Sequence, residues 1–339
     1  MGEGSRGVGD LDASFGATRA VAAKIEVQQL KASVRARLFG TSVDAPRLGE
    51  YSIRRRIGRG GMGAVYEAED PRGRLVALKT LRGFSPAALF HLKHEFRALA
   101  GIVHPNLVSL EKLVVQGEQA YFTMELIDGV DFVHHVRGEA PGEALDAAAL
   151  ARLRAALGRL VAGISALHAA GKLHRDIKPS NVLVTREGRV VLLDFGLVRE
   201  ITEVSTISSS NETFVGTPAY MAPETASGEP VGEAGDWYGL GVVLFEALTG
   251  ELPFAGSGFQ VVVEKCNNPP PRPSSRAAGV PADLDDLCLQ LLAREPASRP
   301  TGDALRRLFG VPELAERLGC QSEWIGGRYG HSTASSQEP

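Results

Sequence analysis

Hydrophobic positions change their spacing along the chain, and the change divides the sequence into two parts. Between residues 51 and 125, apolar and polar side chains alternate in short runs bounded by glycine and proline, a pattern that predicts β-strands. One stretch, Ala87–Ala100, instead repeats its apolar residues at steps of three and four and predicts a helix. The predicted strands are Tyr51–Ile57, Ala64–Ala68, Leu75–Leu81, Leu107–Val115 and Gln119–Glu125.

From Leu145 onward, helical spacing dominates. Leucine, valine and isoleucine form one continuous stripe over residues 146–170, which predicts a long helix that ends at Gly171. The other predicted elements are a buried helix Asp236–Thr249, shorter helices around 282–293 and 301–309, and strands Val182–Val184 and Val190–Leu193. The predicted fold class is therefore α+β, with a small β-rich lobe at about 51–125 and a larger, mostly helical lobe at about 128–310.

Three segments lack this regular pattern. Residues 1–50 are predicted to be an N-terminal extension, mobile over its first part and carrying a short amphipathic helix from Val21 to Phe39. Docking of this helix on the main domain is favoured over a membrane-surface helix, because four basic residues and few aromatic residues make a weak membrane anchor. Residues 311–339 are predicted to be a C-terminal tail with a disordered end. The serine- and threonine-rich residues 197–216 are predicted to form a mobile loop within the main domain, which occupies residues 51–310.

Composition excludes several classes of function. The 339 residues are 44% hydrophobic and 23% charged with a net charge of -3, so the overall charge does not favour a nucleic-acid partner. Three cysteines far apart in the sequence argue against a zinc site or a disulfide framework and favour a reducing, cytoplasmic compartment. No window approaches about 18 uncharged apolar residues, so no membrane span is expected, and the N-terminus lacks the apolar stretch of a secretory signal.

A glycine-rich loop, GRGGMGAV, occupies residues 58–65 between two predicted strands. Glycine backbones approach phosphate oxygens closely and present N–H donors to them, although such a loop is as often a plain hairpin turn. The strand that continues after Gly63 argues against a dinucleotide-binding βαβ unit. Lys79 on the next strand and Glu95 on the following helix are expected to form an ion pair that holds the ammonium for the α- and β-phosphates.

The stretch HRDIKPSN at residues 174–181, followed by DFG from Asp194, concentrates groups suited to phosphoryl transfer. Asp176 can orient a hydroxyl and accept its proton, and Lys178 can neutralise charge on the transferred group. Asn181 and Asp194 offer an amide and a carboxylate oxygen to magnesium. Asp194 alone could simply cap a turn, but its spacing from Asp176 and Asn181 favours the catalytic interpretation.

These motifs, in this order, resemble the eukaryotic-type serine/threonine protein kinases of bacteria over residues 51–310. Further motifs extend the resemblance: GTPAYMAPE at 216–224, DWYGLG at 236–241 and SRP at 298–300. It implies a bilobal protein-kinase fold that binds ATP and Mg²⁺, with Mn²⁺ as an alternative cation, and phosphorylates serine and threonine hydroxyls of protein substrates. Lys178 and the GTPAY motif, which contains Thr217, are typical of the serine/threonine-specific branch.

The resemblance also implies how the nucleotide would be held. The backbones of Glu125 and Ile127 would meet the adenine edge, Met124 would be the gatekeeper and Asp131 would lie near the ribose. The remaining nucleotide-binding residues would be Ile57, Gly58, Gly60, Gly61, Gly63, Val65, Ala77, Lys79, Asn181 and Asp194. Leu99, Leu110, His174 and Phe195 would stack between the lobes, and Glu224 would form a buried ion pair with Arg299.

Regulation follows from the same resemblance. Phosphorylated Thr213 would be held by Arg175, Arg199 and His91 and would order residues 197–216. Further acceptors in the loop are Thr202, Ser205, Thr206, Ser208, Ser209 and Ser210, and one of them could be the main site instead. Self-association of two chains would allow phosphorylation in trans.

Two other classes of protein fit the same fold. A pseudokinase scaffold would bind ATP without transfer, but such proteins typically lose Lys79, Asp176 or Asp194, and this chain keeps all three. A small-molecule phosphotransferase would typically lack the Ala-Pro-Glu segment, which is intact at residues 222–224. A purely regulatory role for residues 1–50 or 311–339 is compatible with catalysis. The substrate, the pathway and the activating signal do not follow from the sequence.

Overall fold

A computed structural model of the chain describes residues 46–60, 63–81, 86–116, 119–139, 143–194, 218–226, 231–256 and 258–312. The predicted helix Val21–Phe39, the loop 197–216 and the C-terminal tail beyond residue 312 lie outside these residues. The described chain forms a β-sheet lobe followed by a mostly helical lobe, as predicted. None of the described helices is long and apolar enough to cross a membrane.

The first lobe is built on an antiparallel sheet of six strands in the order β1-β2-β3-β4-β6-β5. Its elements are β1 (Arg47–Leu48), β2 (Tyr51–Gly60), β3 (Gly63–Glu69), β4 (Leu75–Leu81), α1 (Pro86–Ala100), β5 (Leu110–Gln116) and β6 (Gln119–Met124). Five of the strands were predicted, and β1 is an addition of two residues at the edge of the sheet. The predicted strand Leu107–Val115 begins only at Leu110, because Leu107 instead bridges to Leu192 in the second lobe.

Alternating side chains give this sheet two apolar faces. On β4, Val76 and Leu78 pack into a cluster with Tyr66 and Tyr121, while Ala77 and the end of the strand face the other way. The second face packs against the apolar stripe of α1. Together they form one cluster with the core of the helical lobe. The alternation in the sequence therefore specifies both the strands and the face on which α1 packs.

The second lobe is organised by two long helices. Its elements are β7 (Gly129–Asp131), α2 (Phe132–Arg137), α3 (Ala147–Ala169), β8 (Val182–Thr185), β9 (Val190–Leu192), α4 (Pro223–Ala226), α5 (Glu233–Thr249), α6 (Phe259–Asn267), α7 (Ala282–Leu291) and α8 (Gly302–Leu308). The side chain of Asp146 caps α3 by accepting from the N–H of Ala149 at 2.7 Å. Helix α5 is buried almost all round, and Gly241 lets Leu291 of α7 approach its backbone so closely that a Cβ would stand 2.8 Å away.

A small antiparallel sheet of β7, β8 and β9 lies where the lobes meet. A short 3₁₀ turn, Pro179–Asn181, leads directly into β8, and Asp194 follows just beyond β9. This sheet therefore brings the ends of two predicted motifs to the same place.

Five elements of the second lobe differ from the predicted pattern. The hydrophobic pattern does not predict β7, α2, α4 or α6, and it places the start of α5 at Asp236 instead of Glu233. In α6, the consecutive β-branched residues Val261–Val263 lower helix propensity, and packing against the lobe overrides that preference. The long, strongly periodic helices α1, α3 and α5 lie where they were predicted.

Candidate active site

The HRD segment has a strained backbone that a buried carboxylate holds in place. Arg175 has a φ of 63°, a left-handed conformation that costs a residue with a side chain on the order of 1–3 kcal/mol. Asp236, at the start of the buried part of α5, accepts the N–H groups of His174 at 2.8 Å and Arg175 at 2.7 Å. The carboxylate thus fixes the two peptide units that precede Asp176.

Asp236 is fully buried and remains ionised. Burial acts to raise its pKa, but a hydrogen bond from His168 at 2.8 Å, the nearby imidazole of His174 and that residue's N–H together lower the pKa below its ordinary value. The anion is thereby stabilised, so that it can accept several donors at once. Sequence reasoning assigned no role to His168, because a histidine at the end of an amphipathic helix has no distinguishing pattern.

The carboxylate of Asp176 lies within a short hydrogen-bonded loop. Lys178 Nζ donates to Asp176 Oδ2 at 2.7 Å, and Asn181 Nδ2 donates to the same oxygen at 2.9 Å and to the carbonyl oxygen of Asp176 at 2.8 Å. His174 accepts from the N–H of Asp176 at 3.2 Å through Nδ1 and meets the carbonyl oxygen of Leu193 at 2.7 Å through Nε2. This pair of contacts requires the proton of a neutral imidazole to lie on Nε2. The structure thus brings the three predicted residues together.

Lys79 and Glu95 do not form the predicted ion pair in the structure. Lys79 Nζ lies 2.7 Å from Asp194 Oδ2, whereas Glu95 binds Lys172 Nζ at 2.5 Å and lies 3.4 Å from His94 Nδ1. The predicted Lys79–Glu95 contact is therefore not made in this conformation. The reason is electrostatic, because each charge has a competing partner at hydrogen-bonding distance. Lys172 was missed, and its position just before the buried HRD segment is the only hint that the sequence offers.

The donor set around Asp194 fits a hard cation. Asp194 has a φ of 56°, and its Oδ1 is buried without a hydrogen-bond partner in the part of the chain that the structure describes. The hydrogen bonds of Asn181 use Nδ2, so Oδ1 is the atom that this amide can offer to a ligand. No cluster of three or more His, Cys, Asp or Glu side chains occurs among the described residues, and magnesium usually binds one or two carboxylates with water and phosphate.

The two ends of the glycine loop pair with each other as strands. Gly58 pairs with Val65 and Gly60 with Gly63, so the chain continues as a strand after the loop, as expected. Gly63 has a φ of 152°, and a Cβ there would lie 1.8 Å from the carbonyl oxygen of Thr80. Only glycine fits at this position, whereas Gly61 lies outside the described residues.

Four of the residues expected around adenine belong to, or pack against, one apolar cluster that extends through both lobes. Ala77 of β4 is opposite Met124 of β6, and Val65 and Ile127 pack against the same apolar cluster. The N–H of Glu125 donates to the carbonyl oxygen of Ser109 at 3.0 Å, so the backbone group that Glu125 can offer to adenine is its carbonyl. Ile57 at the end of the predicted first strand is exposed.

Two further ion pairs join segments that are far apart in the sequence. The predicted pair of Glu224 and Arg299 is confirmed, with distances of 2.6 Å and 2.7 Å between its two pairs of atoms, and both side chains are buried. Glu125, in the connection between the lobes, forms a bidentate pair with Arg189, which was not predicted. No pattern in the sequence distinguishes Arg189 from an ordinary surface arginine.

A groove with a volume of about 670 Å³ opens beside residues 174–181, the candidate catalytic loop. Its lining includes Asp131, His134, Lys178, Ser180, Tyr220 and Glu246. Asp131 caps α2 by accepting from the N–H of His134 at 2.9 Å, and Tyr220 donates its hydroxyl to Glu246 at 2.7 Å. Burial raises the pKa of Glu246, the hydrogen bond from Tyr220 opposes this, and the charge of Asp131 adds to the rise.

The predicted regulatory residues are mostly outside the described part of the chain. Thr213, Arg199, Thr217 and the stacking residue Phe195 all lie there. Of the other residues in the predicted stack, Leu99 and His174 are buried and Leu110 is half-buried. Arg175 and the exposed His91 are described, so the proposed phosphate clamp is only partly represented.

Comparisons with known proteins find similar sequences over the same part of the chain. Residues 51–309 match the family model described as a protein kinase domain. The chain is 35% identical over 262 residues to the serine/threonine-protein kinase PknE of Mycobacterium tuberculosis, covering 76% of this chain and 45% of that protein. It is 34% identical over 289 residues to the serine/threonine-protein kinase PkaA of Streptomyces coelicolor, covering 80% and 51%. The chain thus spans about half the length of the curated relatives it matches.

The same likeness holds in three dimensions. The crystal structure of the PknI kinase domain of Mycobacterium tuberculosis superimposes with a TM-score of 0.59 at 25% sequence identity. The match covers 80% of this chain and 98% of that one. The two-lobed architecture described above is therefore shared with a solved structure.

Proposed function

This chain belongs to the protein kinase family, and we propose that it transfers the γ-phosphoryl group of ATP to serine and threonine hydroxyls of protein substrates. The observation that supports this most is the arrangement at Asp176, whose carboxylate is bonded to Lys178 and Asn181 in a loop fixed by Asp236. We assign the catalytic unit to residues 51–310, with residues 1–50 and 311–339 as extensions.

Asp176 is proposed to orient the acceptor hydroxyl and to take its proton. Its Oδ2 is already engaged by two donors, so its other carboxylate oxygen is the one available to the hydroxyl. Lys178, 2.7 Å from Asp176, is proposed to stabilise negative charge on the phosphoryl group during transfer. This arrangement works mainly by positioning and electrostatics, as phosphoryl transfer requires.

Asn181 and Asp194 are the proposed magnesium ligands. When bound, Mg²⁺ would neutralise the phosphate charges and hold the phosphates in position. Lys79 is proposed to bind the α- and β-phosphates, and Glu95 to hold its ammonium there. In the structure the ammonium of Lys79 pairs with Asp194. Ligand binding would separate the two, so that Lys79 contacts phosphate and Asp194 contacts magnesium.

Regulation by phosphorylation is proposed for the loop at residues 197–216. Thr213 is the proposed acceptor and would be phosphorylated by a second copy of the chain. Arg175, Arg199 and His91 would be the cations that bind the phosphate. The basis is the sequence alone, since Thr213 and Arg199 lie outside the described residues. A loss of loop phosphate in Thr213→Ala, together with lower activity, is the expected result.

Incubation of the full chain with Mg²⁺ and labelled ATP, with a basic histone mixture as acceptor, tests the proposed function. Asp176→Asn should lower the transfer rate at least about 100-fold, because it removes the proton acceptor. Asp286→Asn, which changes an exposed carboxylate bonded to Arg272, is the control and should not affect the rate. Nucleotide binding without transfer in the wild type would refute the proposal and indicate an ATP-binding scaffold.

A further inference from the structure

Lys265 of α6 is a buried lysine in a part of the chain that the motifs do not cover. Only 2% of its surface is exposed. Its Nζ donates to the carbonyl oxygens of Pro218 at 2.7 Å, Ala219 at 2.9 Å and Met221 at 2.7 Å. An ammonium has three donors, and these three bonds use all of them.

The charge of Lys265 is stabilised by backbone dipoles. Among the described residues Lys265 forms no ion pair with a carboxylate. The side chain of Glu264 accepts a hydrogen bond from Asn268, and the buried Glu224 pairs with Arg299. The ring of Tyr238 lies 5.4 Å from Nζ, at the distance of a cation–π contact. Burial lowers the pKa of Lys265 to about 7. Burial of a cation without a carboxylate partner is costly unless its donors are satisfied, and the three carbonyl oxygens satisfy them here.

The segment that Lys265 holds forms a wall of the groove beside the catalytic loop. Two of the three carbonyls belong to Ala219 and Met221, the residues on either side of Tyr220. Tyr220 projects into the groove and donates to Glu246 at 2.7 Å, and both residues line it together with Lys178. Fixing the backbone at these carbonyls therefore fixes the position of the Tyr220 side chain relative to the catalytic loop.

We propose that Lys265 is a positioning residue for the protein substrate, which would lie in the groove between Tyr220 and the catalytic loop. Lys265 contacts neither the nucleotide-binding edge nor Asp176, so it acts through the backbone of residues 218–221. This inference rests on the proposed function, because it assumes that a polypeptide acceptor enters the groove. It predicts that the binding of protein substrate depends on Lys265 and that the binding of ATP does not.

Steady-state kinetics with the basic histone mixture and ATP separate these two effects. Lys265→Met keeps the length of the side chain and removes its donors, so the KM for histone should rise about tenfold while the KM for ATP stays within about twofold. Lys265→Arg retains a cation with several donors and should recover part of the loss. Lys112→Met is the matched control, since Lys112 is an exposed lysine paired with Glu50, and both KM values should be unchanged.

The unmodified protein provides a second measurement if Lys265→Met does not fold. Loss of the proton leaves two donors for three carbonyls, so the KM for histone should rise between about pH 6 and 8.5 while the KM for ATP does not. The titratable groups near Nζ are Tyr238 and Cys266, and the pair of Glu224 and Arg299 lies beside Tyr238. Burial raises the pKa of Tyr238, which keeps its hydroxyl protonated in this range.

Each outcome decides the proposal. Equal changes in both KM values, or an unchanged KM for histone in a folded Lys265→Met, would show that Lys265 has only a structural role. A flat pH profile of the KM for histone would overturn the proposal when the variant does not fold. A wild type that phosphorylates neither itself nor histone refutes the proposed function, and the role of Lys265 falls with it.

Discussion

The buried ion pair of Glu224 and Arg299 allows a test of how burial changes the contribution of an ion pair to the free energy of unfolding. All five N–H groups of the guanidinium are used. Besides the two bonds to Glu224, Nε donates to the carbonyl oxygen of Ala293 at 2.8 Å, and the terminal nitrogens donate to those of Ala234 at 2.8 Å and Arg294 at 2.9 Å. The side chains of Arg299 and Glu224 are 0% and 5% exposed.

Arg299→Met removes every one of these donors and leaves the carboxylate of Glu224 buried without its partner. The expected loss in the free energy of unfolding is about 3–5 kcal/mol, the cost of breaking a buried pair from one side. Arg154 and Asp283 form a pair of the same bidentate geometry, with distances of 2.5 Å and 2.8 Å, but their side chains are 43% and 61% exposed. Arg154→Met should therefore cost about 1 kcal/mol or less.

Urea unfolding followed by tryptophan fluorescence measures both costs. Trp237 of α5 is buried and reports on the helical lobe, and a Trp324→Phe background removes the other tryptophan of the chain. The two arginine variants should differ by about 2 kcal/mol or more, a factor of about 30 in the unfolding equilibrium. Replacing Glu224 as well as Arg299 by methionine should not add to the loss, because the unpaired carboxylate is then gone. Equal costs for the Arg299 and Arg154 variants would refute the reasoning.

Three further predictions concern the charges around the catalytic loop. Lys172→Met removes one of the contacts that hold Glu95 away from Lys79 and should raise the phosphorylation rate at low ATP several-fold in a radiometric assay. Asp194→Asn should raise the Mg²⁺ concentration for half-maximal activity at least about tenfold in a magnesium titration, because it removes the charged ligand. Asp236→Asn should destabilise the fold at pH 7 in urea unfolding. Because the folded pKa of Asp236 is lowered, the stability provided by its ionised form is present above about pH 4, and the deficit of the variant should shrink as the pH falls through that folded pKa.

Each of these predictions has its own contrary result. An unchanged or lower rate in Lys172→Met, with Lys112→Met equal to the wild type, would show that Lys172 does not compete for Glu95. An unaltered magnesium requirement in Asp194→Asn would remove that residue from the set of metal ligands. A deficit of Asp236→Asn that is the same at pH 3 and pH 7 would mean that ionisation of Asp236 does not contribute to stability.

Local motifs were predictable because their geometry is local. Asp176, Lys178 and Asn181 lie within six residues of each other, and a loop that contains Pro179 has few ways to arrange them. Their hydrogen bonds in the structure follow from that short span. The pair of Glu224 and Arg299 is 75 residues apart in the chain, and only the resemblance to a family indicated it.

Residues outside the motifs were not predictable in this way. Lys265 follows a run of three valines, and in a sequence such a lysine is indistinguishable from the many that end in solvent. Its burial results from the packing of α6 against the segment before α4, two regions separated by more than 30 residues. The short elements β7 and α2 were missed for a related reason, since three to six residues give no measurable period.

The charges at the interface of the lobes show a further limit of sequence reasoning. Lys79, Glu95, Asp194 and Lys172 are two cations and two anions, and the same four groups can be joined in more than one way. The sequence determines which charges are present, whereas the position of α1 and the ligands in the cleft determine which of them pair. In the observed pairing each of the two cations contacts one carboxylate, as Lys79 would in the predicted pairing, so the free energy that separates the two is a difference between similar terms. A bound nucleotide and its cation add charges of both signs beside Lys79 and Asp194. Ligand binding can therefore change which of the four side chains pair, and with it the position of α1.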